Sequence, residues 1–498
     1  MNRLARVAVS AVSWILAILM SVIYGALITV YIGLRFQCLQ LGFFSYPGSQ
    51  FSQYLPLIGP AFTVVAIGAW ILLALVFRRR KRDVNGLRRL ACLVVLAIPL
   101  VYLAIDEPTS KPIYTRADIP PPAKDMEASY KTLMAFRRDG GLELKVDLPY
   151  ASTNYGYPQG CPSNVLERAD AIEKAWLDVG KGWEVIERLD SFAAIADLLP
   201  ETPLDEKIPV LGFLHLRNTA RACWRYSILK TEQGKTDEGV RALCRLHSVT
   251  RKAQPYSTTL VSKMIWIAIA KGNMQTAYHI ADSSKCTPAT LMMLSKSFPP
   301  LSAGDTSMRR PFIAECLWGK TMLRKFHSRD PGYFTAFVSC SSQEEALNPL
   351  ANRPHLRVAS YVIGPFLLNL NGTIRELEET WHSVLRGVSS EPPTFGPSAD
   401  SAEARLRNPN FKNMVGKMLP VVVIPSLSKC SENAWKAKVL SDLLAVELHR
   451  RLGEKLLLTD AYTGKPYFVD EATGIPSSVG PDGKPGTADD INLGEWPQ

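Results

Sequence analysis

The sequence lacks the short motifs by which most metal sites and hydrolases are recognised. None of its nine cysteines forms a Cys-x-x-Cys pair, which argues against a zinc site built from paired cysteines. No two of its seven histidines have the His-x-x-x-His spacing, and no Gly-x-Ser-x-Gly elbow is present. We therefore predict no catalytic residue, and an enzyme whose site is assembled from scattered residues stays as the alternative to a binding protein.

Acidic residues are almost missing from residues 1–105, where ten Lys or Arg stand against Asp83 alone. The same part of the chain contains three long apolar runs, 7–33, 56–77 and 90–105, with no acidic residue or histidine inside any of them. Runs of about 20 apolar residues cross a hydrocarbon core of about 30 Å. We predict three transmembrane helices that anchor the protein in a lipid bilayer, because a transport pathway would place ionisable groups within them.

The loop between the second and third runs, residues 77–89, carries seven Lys or Arg. Basic residues beside a span stay on the cytoplasmic side. This places the N-terminus in the cytoplasm and the large C-terminal part in the periplasm, with the spans in a bacterial inner membrane. The third run reaches only about 24 Å as a helix. If it did not cross, the C-terminal part would be cytoplasmic.

Residues 106–498 contribute little to the net charge of +11, because most of the surplus lies in residues 1–105. This region has no block of interleaved basic and aromatic residues, so we predict no nucleic-acid partner. Residues 106–124 include three consecutive prolines, which favour an extended spacer. A helical soluble domain is predicted to follow over residues 125–457.

Apolar residues recur at steps of three and four through this domain, as in Val165, Ala169, Ile172 and Trp176. The spacing is typical of helices that bury one face, so the fold class is mainly α. Helices are predicted over 125–138, 163–180, 182–199, 208–233, 236–252, 258–281 and 431–452. Two stretches, 222–243 and 261–281, each have an apolar helix, a glycine turn and a second helix. They predict tetratricopeptide-like hairpins, with an irregular bundle as the alternative, since a solenoid needs at least about three copies.

Residues 458–498 form a tail rich in Gly, Pro and Asp, the residues of tight turns. Its first part predicts a short strand through Tyr467 and Val469. Its second part brings Asp482, Asp489 and Asp490 into one looped stretch, which suits calcium, a cation that takes about six to eight oxygen ligands. The alternative is a calcium-free pair of turns in which Asp482 and Asp489 accept hydrogen bonds from backbone amides.

The Gly-Pro-Asp-Gly turn and the following Asp489-Asp490 pair resemble the C-terminal region of the major pseudopilins of type II secretion. The resemblance implies a calcium-holding loop beside a small sheet, with Asp482, Asp489 and Asp490 as the acidic ligands. The start of the chain, MNRLARVAVSAVSW, has neither the prepilin cleavage signature nor the glutamate that follows it. The resemblance therefore does not imply assembly into a pilus-like fibre.

A broader resemblance covers about residues 205–498. A helical hairpin, the helix end ELHRRLG at 447–453, and the GKPY and SVGPDG segments of the tail occur in an order that is similar to a group of uncharacterised envelope proteins of planctomycete and verrucomicrobial bacteria. Ala461 and Ser477 depart from that pattern, which has proline and an aromatic residue there. The resemblance implies no activity. We expect a membrane-anchored protein that binds or scaffolds other envelope proteins, with association with a secretion apparatus as the alternative.

Overall fold

The computed structural model describes residues 108–109, 111–119, 125–136, 165–198, 213–329, 369–388, 413–469, 474–487 and 489–493. The three predicted transmembrane helices, 7–33, 56–77 and 90–105, lie outside these residues. Within the described residues, no helix is both long enough and apolar enough to cross a membrane. Helices account for 70% of the described residues, which confirms the mainly α class, and the strands form one small sheet.

The described helices follow the predicted periodicity through most of the soluble domain. In chain order they are α1 Met126–Leu133, α2 Ala169–Asp178, α3 Gly180–Asp190, α4 Phe213–Glu232, α5 Thr236–Ala253, α6 Leu260–Asp282, α7 Pro288–Ser297, α8 Ala303–Thr306, α9 Arg309–Arg329, α10 Leu370–Val388 and α11 Met414–Arg451. Single 3₁₀ turns occupy Arg116–Asp118, Met134–Phe136, Leu166–Arg168 and Gln254–Tyr256.

The contacts between residues divide the chain into two units, each built from separate stretches of the sequence. One unit comprises Met1–Ile113, Gly319–Thr380 and Pro397–Pro425, and the other comprises Tyr114–Trp318, Trp381–Gly396 and Ser426–Gln498. In the first unit, Lys320 is ion-paired with Glu378, and both side chains are almost fully buried. The larger body of described residues, and the sites considered below, belong to the second unit.

The packed structure begins before the predicted end of the Pro-rich spacer. Tyr114 is only 5% exposed, and its hydroxyl lies 2.9 Å from Nδ1 of His382. Ile119 packs against Leu198 and Ala314. Tyr114 is buried and Ile119 is half-buried against the helices, so these two residues contribute to the folded unit.

The first predicted hairpin is confirmed as α4 and α5. Gly234 takes a left-handed backbone conformation, with φ of 74°, in the turn between the two helices, where glycine has no steric penalty. The helices approach closely at Gly239, because a Cβ atom there would lie 2.6 Å from the carbonyl oxygen of Ser227. Ser227 Oγ donates a hydrogen bond to the Gly239 carbonyl at 2.9 Å.

The second predicted hairpin is wrong, because α6 runs without interruption from Leu260 to Asp282. Gly272 lies inside this helix and serves packing instead of a turn. A Cβ atom at Gly272 would lie 2.2 Å from the indole ring of Trp224. The same indole donates from Nε1 to Asn273 Oδ1 at 2.7 Å, and Asn273 donates to Thr250 Oγ1 at 3.3 Å. Glycine at this position therefore lets α6 approach α4.

The helix predicted over 182–199 ends early, at Asp190. Lys252 Nζ donates to the Asp190 carbonyl oxygen at 2.5 Å and to its carboxylate at 2.8 Å. The amide of Ile195 donates to the carbonyl of Lys252 at 3.1 Å. The residues after α3 thus hydrogen-bond to the end of α5, and the apolar side chains of Ile195 and Leu198 are buried there without helical structure.

Among the described helices the longest is α11, which begins at Met414, well before the predicted start at Ser431. Its end is as predicted, because Gly453 follows with a left-handed φ of 76°. Near this end, Arg451 donates to the Ala281 carbonyl at 2.7 Å and to the Asp282 carboxylate at 2.7 Å. This arginine therefore ties the end of α11 to the end of α6.

The tail folds into the small sheet and is attached to α11. Its strands are β1 Phe468–Val469, β2 Pro476–Ser478 and β3 Ile491–Asn492, in antiparallel order β1-β2-β3. The strand predicted through Tyr467 and Val469 is thereby confirmed. Tyr467 donates from its hydroxyl to the buried carboxylate of Asp442 on α11 at 3.0 Å, and Ser478 donates to Asp460 at 2.8 Å.

We predict that Gly272→Ala destabilises the protein. Alanine in the middle of a helix is ordinarily better than glycine by about 1 kcal/mol, but here the added methyl group would overlap the Trp224 ring. Overpacking of this kind costs about 1–3 kcal/mol, so the melting temperature should fall. The matched control is Gly180→Ala, because nothing lies within 4 Å of a Cβ atom at Gly180. Equal melting temperatures for Gly272→Ala and wild type would contradict the packing described here.

Candidate functional site

Ionisable side chains are concentrated around the start of α6. We call this group the buried charge cluster; its members are Asp197, Arg251, Lys263, Asp305, Arg310 and Glu315. Lys263 is 0% exposed and Asp197 is 3% exposed. Charged residues are almost never fully buried unless they are paired. The cluster is therefore the first place in the described residues to look for a functional site.

Asp197 holds the segment that leads into α6. Its Oδ1 accepts a hydrogen bond from the amide of Thr258 at 2.7 Å, and its Oδ2 accepts from the amide of Thr259 at 3.2 Å. Thr259 in turn caps α6, since its Oγ1 accepts from the amide of Ser262 at 3.2 Å. Burial raises the pKa of Asp197, and the amide hydrogen bonds oppose that rise. The Asp197 carboxylate thus accepts the hydrogen bonds that water would otherwise accept from the amides leading into α6.

Lys263 lies one turn into α6, with its ammonium enclosed by protein. Its Nζ donates to the backbone carbonyl of Gln254 at 2.8 Å and to that of Asp305 at 2.6 Å. Burial lowers the pKa of Lys263 to about 7, while the negative charges of Asp305 and Asp197 raise it and Arg310 lowers it further. The ammonium joins the 3₁₀ turn after α5 and the short helix α8 to α6.

Asp305 connects α8 to α5 within the cluster. Its carboxylate forms a capping box with Ser302, accepting from the Ser302 amide at 2.7 Å and hydroxyl at 2.9 Å. The same oxygen lies 3.1 Å from Arg251 on α5. Glu315 on α9 accepts from the amide of Leu260 at 3.0 Å, and burial raises the pKa of Glu315. Each carboxylate of the cluster therefore has a structural partner.

The chemistry of the cluster is dominated by the surroundings of Lys263. An amine with a pKa near 7 is suited to act as a base or as a Schiff-base nucleophile. The Lys263 side chain, however, is completely buried, and its ammonium is hydrogen-bonded to two backbone carbonyls. The arrangement fixes the start of α6 and presents no amine to a substrate.

No pattern in the sequence indicates the buried charge cluster. Its members are spread from Asp197 to Glu315 over one loop and four helices, so no short motif contains two of them at a diagnostic spacing. The one signal was Lys263 itself, which stands in the otherwise apolar stretch LVSKMIWIAIA at the start of α6. A lysine on the buried face of a helix needs hydrogen-bond acceptors from other elements.

The three carboxylates predicted to hold calcium lie in the turns before β3. Asp489 accepts from the amide of Asp482 at 3.0 Å and from the Thr487 hydroxyl at 2.6 Å. Asp490 accepts from the amide of Gly486 at 2.7 Å. The hydrogen bond from Thr487 lowers the pKa of Asp489. All three residues thus belong to one hydrogen-bonded loop, in which Asp482 and Asp489 accept from backbone amides, as in the calcium-free alternative.

The loop offers the oxygen chemistry that calcium requires, although the described residues contain no group of three or more His, Cys, Asp or Glu side chains arranged to hold a metal. Gly480 has a left-handed φ, and a Cβ atom there would lie 2.3 Å from the Asp489 carbonyl oxygen and 2.9 Å from its Oδ2. Only glycine therefore fits at position 480, where the chain passes close to Asp489. The calcium site at Asp482, Asp489 and Asp490 stays a prediction.

Comparisons with known proteins give no relative for this chain, since no family model, curated protein or solved structure matches it.

We predict that Lys263→Met changes how stability depends on pH. The pKa of Lys263 is about 7 in the folded protein and 10.5 in its ordinary state, so between these values the unfolded chain binds more protons. Lys263 therefore makes the free energy of unfolding rise with pH in that window, by up to about 1.4 kcal/mol per pH unit. Melting temperatures of wild type and Lys263→Met, measured from pH 7 to 10, should differ in slope accordingly.

The control for this prediction is Lys131→Met, because Lys131 is a 70% exposed residue in an ion pair with Glu127. The melting temperature of Lys131→Met should depend on pH in the same way as that of the wild type. Parallel curves for wild type and Lys263→Met would show that the buried ammonium does not titrate in this window.

Proposed function

We propose that this protein is a membrane-anchored binding or scaffolding module of the bacterial envelope. The observation that carries the proposal is that buried ionisable groups of the described domain hold its helices and its tail together. Asp197 and Lys263 hold the start of α6, and Asp442 and Asp460 hold the tail to α11 and to β2. Such contacts give a stiff body of helices and tail, which suits the presentation of a surface to other envelope proteins.

A second observation supports rigidity at the junction of α11 and α6. Glu447 is fully buried and accepts hydrogen bonds from Arg450 at 2.7 Å and Arg451 at 2.6 Å. Arg451 also reaches the end of α6 at Asp282. The Glu447 pairs lie within α11. The junction itself is held by Arg451, whose hydrogen bond to the Ala281 carbonyl is part-buried and whose ion pair with the exposed Asp282 contributes about 0–1 kcal/mol.

The binding role is tested by measuring the size of the complex that contains this protein after extraction from native membranes. After mild solubilisation, the full chain should migrate as a discrete hetero-oligomer that contains other envelope proteins. The variant Lys263→Met should keep this assembly, whereas an enzyme that used the amine would lose its activity. A chain that migrates alone would contradict the proposal. Secretion proteins in the complex would favour the alternative of a membrane component of a secretion apparatus.

The proposed location predicts that the C-terminus is periplasmic. A compartment-sensitive reporter fused after Gln498 should report the periplasm, and a reporter fused after Arg89 should report the cytoplasm, because the basic loop 77–89 resists translocation. Replacing residues 78–82 by neutral residues should reduce the fraction of correctly oriented chains. A cytoplasmic result after Gln498 would remove the third predicted span and the periplasmic location together.

We also propose that the tail binds calcium through Asp482, Asp489 and Asp490. The supporting observations are that the three carboxylates lie in one hydrogen-bonded loop and that the turn resembles that of the major pseudopilins. Calcium would add a positive charge beside three carboxylates that accept amide and hydroxyl hydrogen bonds from their own loop.

The calcium proposal predicts a cation-specific rise in melting temperature. Extracellular calcium modules have dissociation constants of about 10⁻⁴–10⁻³ M, so about 10 mM calcium should stabilise the full chain by about 1–3 kcal/mol. The double variant Asp489→Asn with Asp490→Asn should abolish the rise. A control with the same loss of charge, Asp170→Asn with Asp178→Asn in the exposed face of α2, should keep it. An equal response in both variants would contradict the assignment.

A further inference from the structure

A serine, a histidine and a glutamate form a hydrogen-bonded chain between α7 and the end of α11. The Oγ atom of Ser295, on α7, lies 3.2 Å from Nε2 of His449, on the last turn of α11. On the other side of the ring, Nδ1 of His449 lies 2.6 Å from Oε2 of Glu454. We call these three residues the serine triad. The order of hydroxyl, imidazole and carboxylate is the one that activates the nucleophile in serine hydrolases.

The turn after α11 holds Glu454 against His449. Gly453 has a left-handed φ of 76° and reverses the chain. Its amide donates to the Arg450 carbonyl at 3.0 Å, and the amide of Glu454 donates to the carbonyl of His449 at 2.9 Å. This is a common way to end a helix. The backbone of Glu454 is therefore bonded to the same residue whose imidazole its carboxylate faces.

The Glu454 carboxylate determines which nitrogen of His449 carries the proton. An ionised carboxylate only accepts hydrogen bonds, so Nδ1 of the neutral imidazole must be the donor to Glu454. The Nε2 atom then has a lone pair, which accepts from the Ser295 hydroxyl. In this tautomer Nε2 is placed to take the hydroxyl proton when Ser295 attacks an electrophile.

The serine triad is accessible to solvent. The side chains of His449 and Glu454 are 30% and 61% exposed, and Ser295 is half-buried. Met292 is an exposed apolar residue three positions before Ser295, so the two side chains are neighbours on one face of α7. An apolar side chain beside the hydroxyl favours a substrate whose acyl group is short, uncharged and apolar.

We propose that the serine triad hydrolyses esters and thioesters of short apolar carboxylic acids. Ser295 Oγ attacks the acyl carbon while Nε2 of His449 takes the hydroxyl proton. The bond from the acyl carbon to the leaving oxygen or sulfur breaks, and His449 gives the proton to that atom. Water then attacks the acyl-Ser295 ester, one proton of the water returns through His449 to Ser295 Oγ, and the carboxylic acid leaves.

The position of Ser295 inside α7 restricts the substrate class. A backbone amide in the body of a helix is already hydrogen-bonded within it, so the α7 amides at Ser295 are not donors to a developing oxyanion. Preorganised oxyanion donors are usually the largest contribution to acyl transfer. Esters with good leaving groups need this contribution least, so aryl esters and thioesters are substrates and amides are not.

The proposal is tested by the hydrolysis of 4-nitrophenyl butyrate by the purified full chain. General base catalysis contributes about 10²–10⁴-fold, so Ser295→Ala and His449→Gln should each lower kcat/KM at least 100-fold. The control is Ser297→Ala, a half-buried serine of the same helix whose hydroxyl faces the thiol of Cys244, and it should change kcat/KM by less than twofold. No hydrolysis by the wild type, or an unchanged rate in Ser295→Ala, would overturn the proposal.

A fluorophosphonate probe identifies the nucleophile without a variant at Ser295. Mass spectrometry of the wild type should locate one covalent adduct, on Ser295, and the adduct should be absent from His449→Gln. This measurement decides the question if Ser295→Ala fails to fold. An adduct on another residue, or no adduct, would overturn the proposal.

The positioning role of Glu454 is tested by Glu454→Gln. An amide at this position does not require the proton on Nδ1 of His449, so kcat should fall at least tenfold while KM and the melting temperature stay unchanged. A purely structural link between α7 and α11 would give a lower melting temperature with no loss of kcat, and that result would overturn the assignment of Glu454.

Discussion

The described part of the second unit depends on one constraint, which is that the amides of Thr258, Thr259, Leu260 and Ser262, at the entry to α6, are wholly or partly removed from water and need acceptors within the protein. An α-helix leaves its first four N–H groups unpaired. Asp197 accepts from two amides in the entry segment, Thr259 caps the helix with its own side chain, and Glu315 accepts from Leu260. These acceptors come from different parts of the chain, so the start of α6 orders only when those parts have come together. The position of α6 then determines where Gly272 meets the ring of Trp224.

The electrostatic design of this site follows from the same constraint. Carboxylates that cap buried amides bring negative charge into the interior, and isolated charge there is costly. Lys263, Arg251 and Arg310 supply positive charge beside them, and Lys263 additionally satisfies two carbonyl groups. Replacing such a set by apolar residues of similar volume is often neutral for stability, whereas removing one member is costly. The cluster therefore specifies how α5, α6 and α8 fit together more than it adds to the overall free energy of folding.

The sequence predicted a helix correctly wherever the apolar residues that recur at helical spacing are also the residues that the structure buries. This holds for α4 and α5 and for the C-terminal half of α11. The prediction fails at Gly272, because the local sequence does not distinguish a glycine that allows close packing from a glycine that ends a helix. It also fails after Asp190, where hydrogen bonds to Lys252 replace the helical ones. The buried charge cluster could not be predicted, since its members are brought together only by tertiary structure.

The tail shows why turn chemistry is easier to predict than side-chain roles. Glycine at 480 and 483 adopts left-handed conformations, as the residue type requires, and the short strands follow from the turns between them. The role of each carboxylate depends instead on what it faces. Asp442 faces Tyr467 and Lys438, and burial raises the pKa of its carboxyl group. Asp489 faces donors within its own loop, which lower the pKa of Asp489. Asp489 is thus held within its own loop, whereas Asp442 holds the tail on α11.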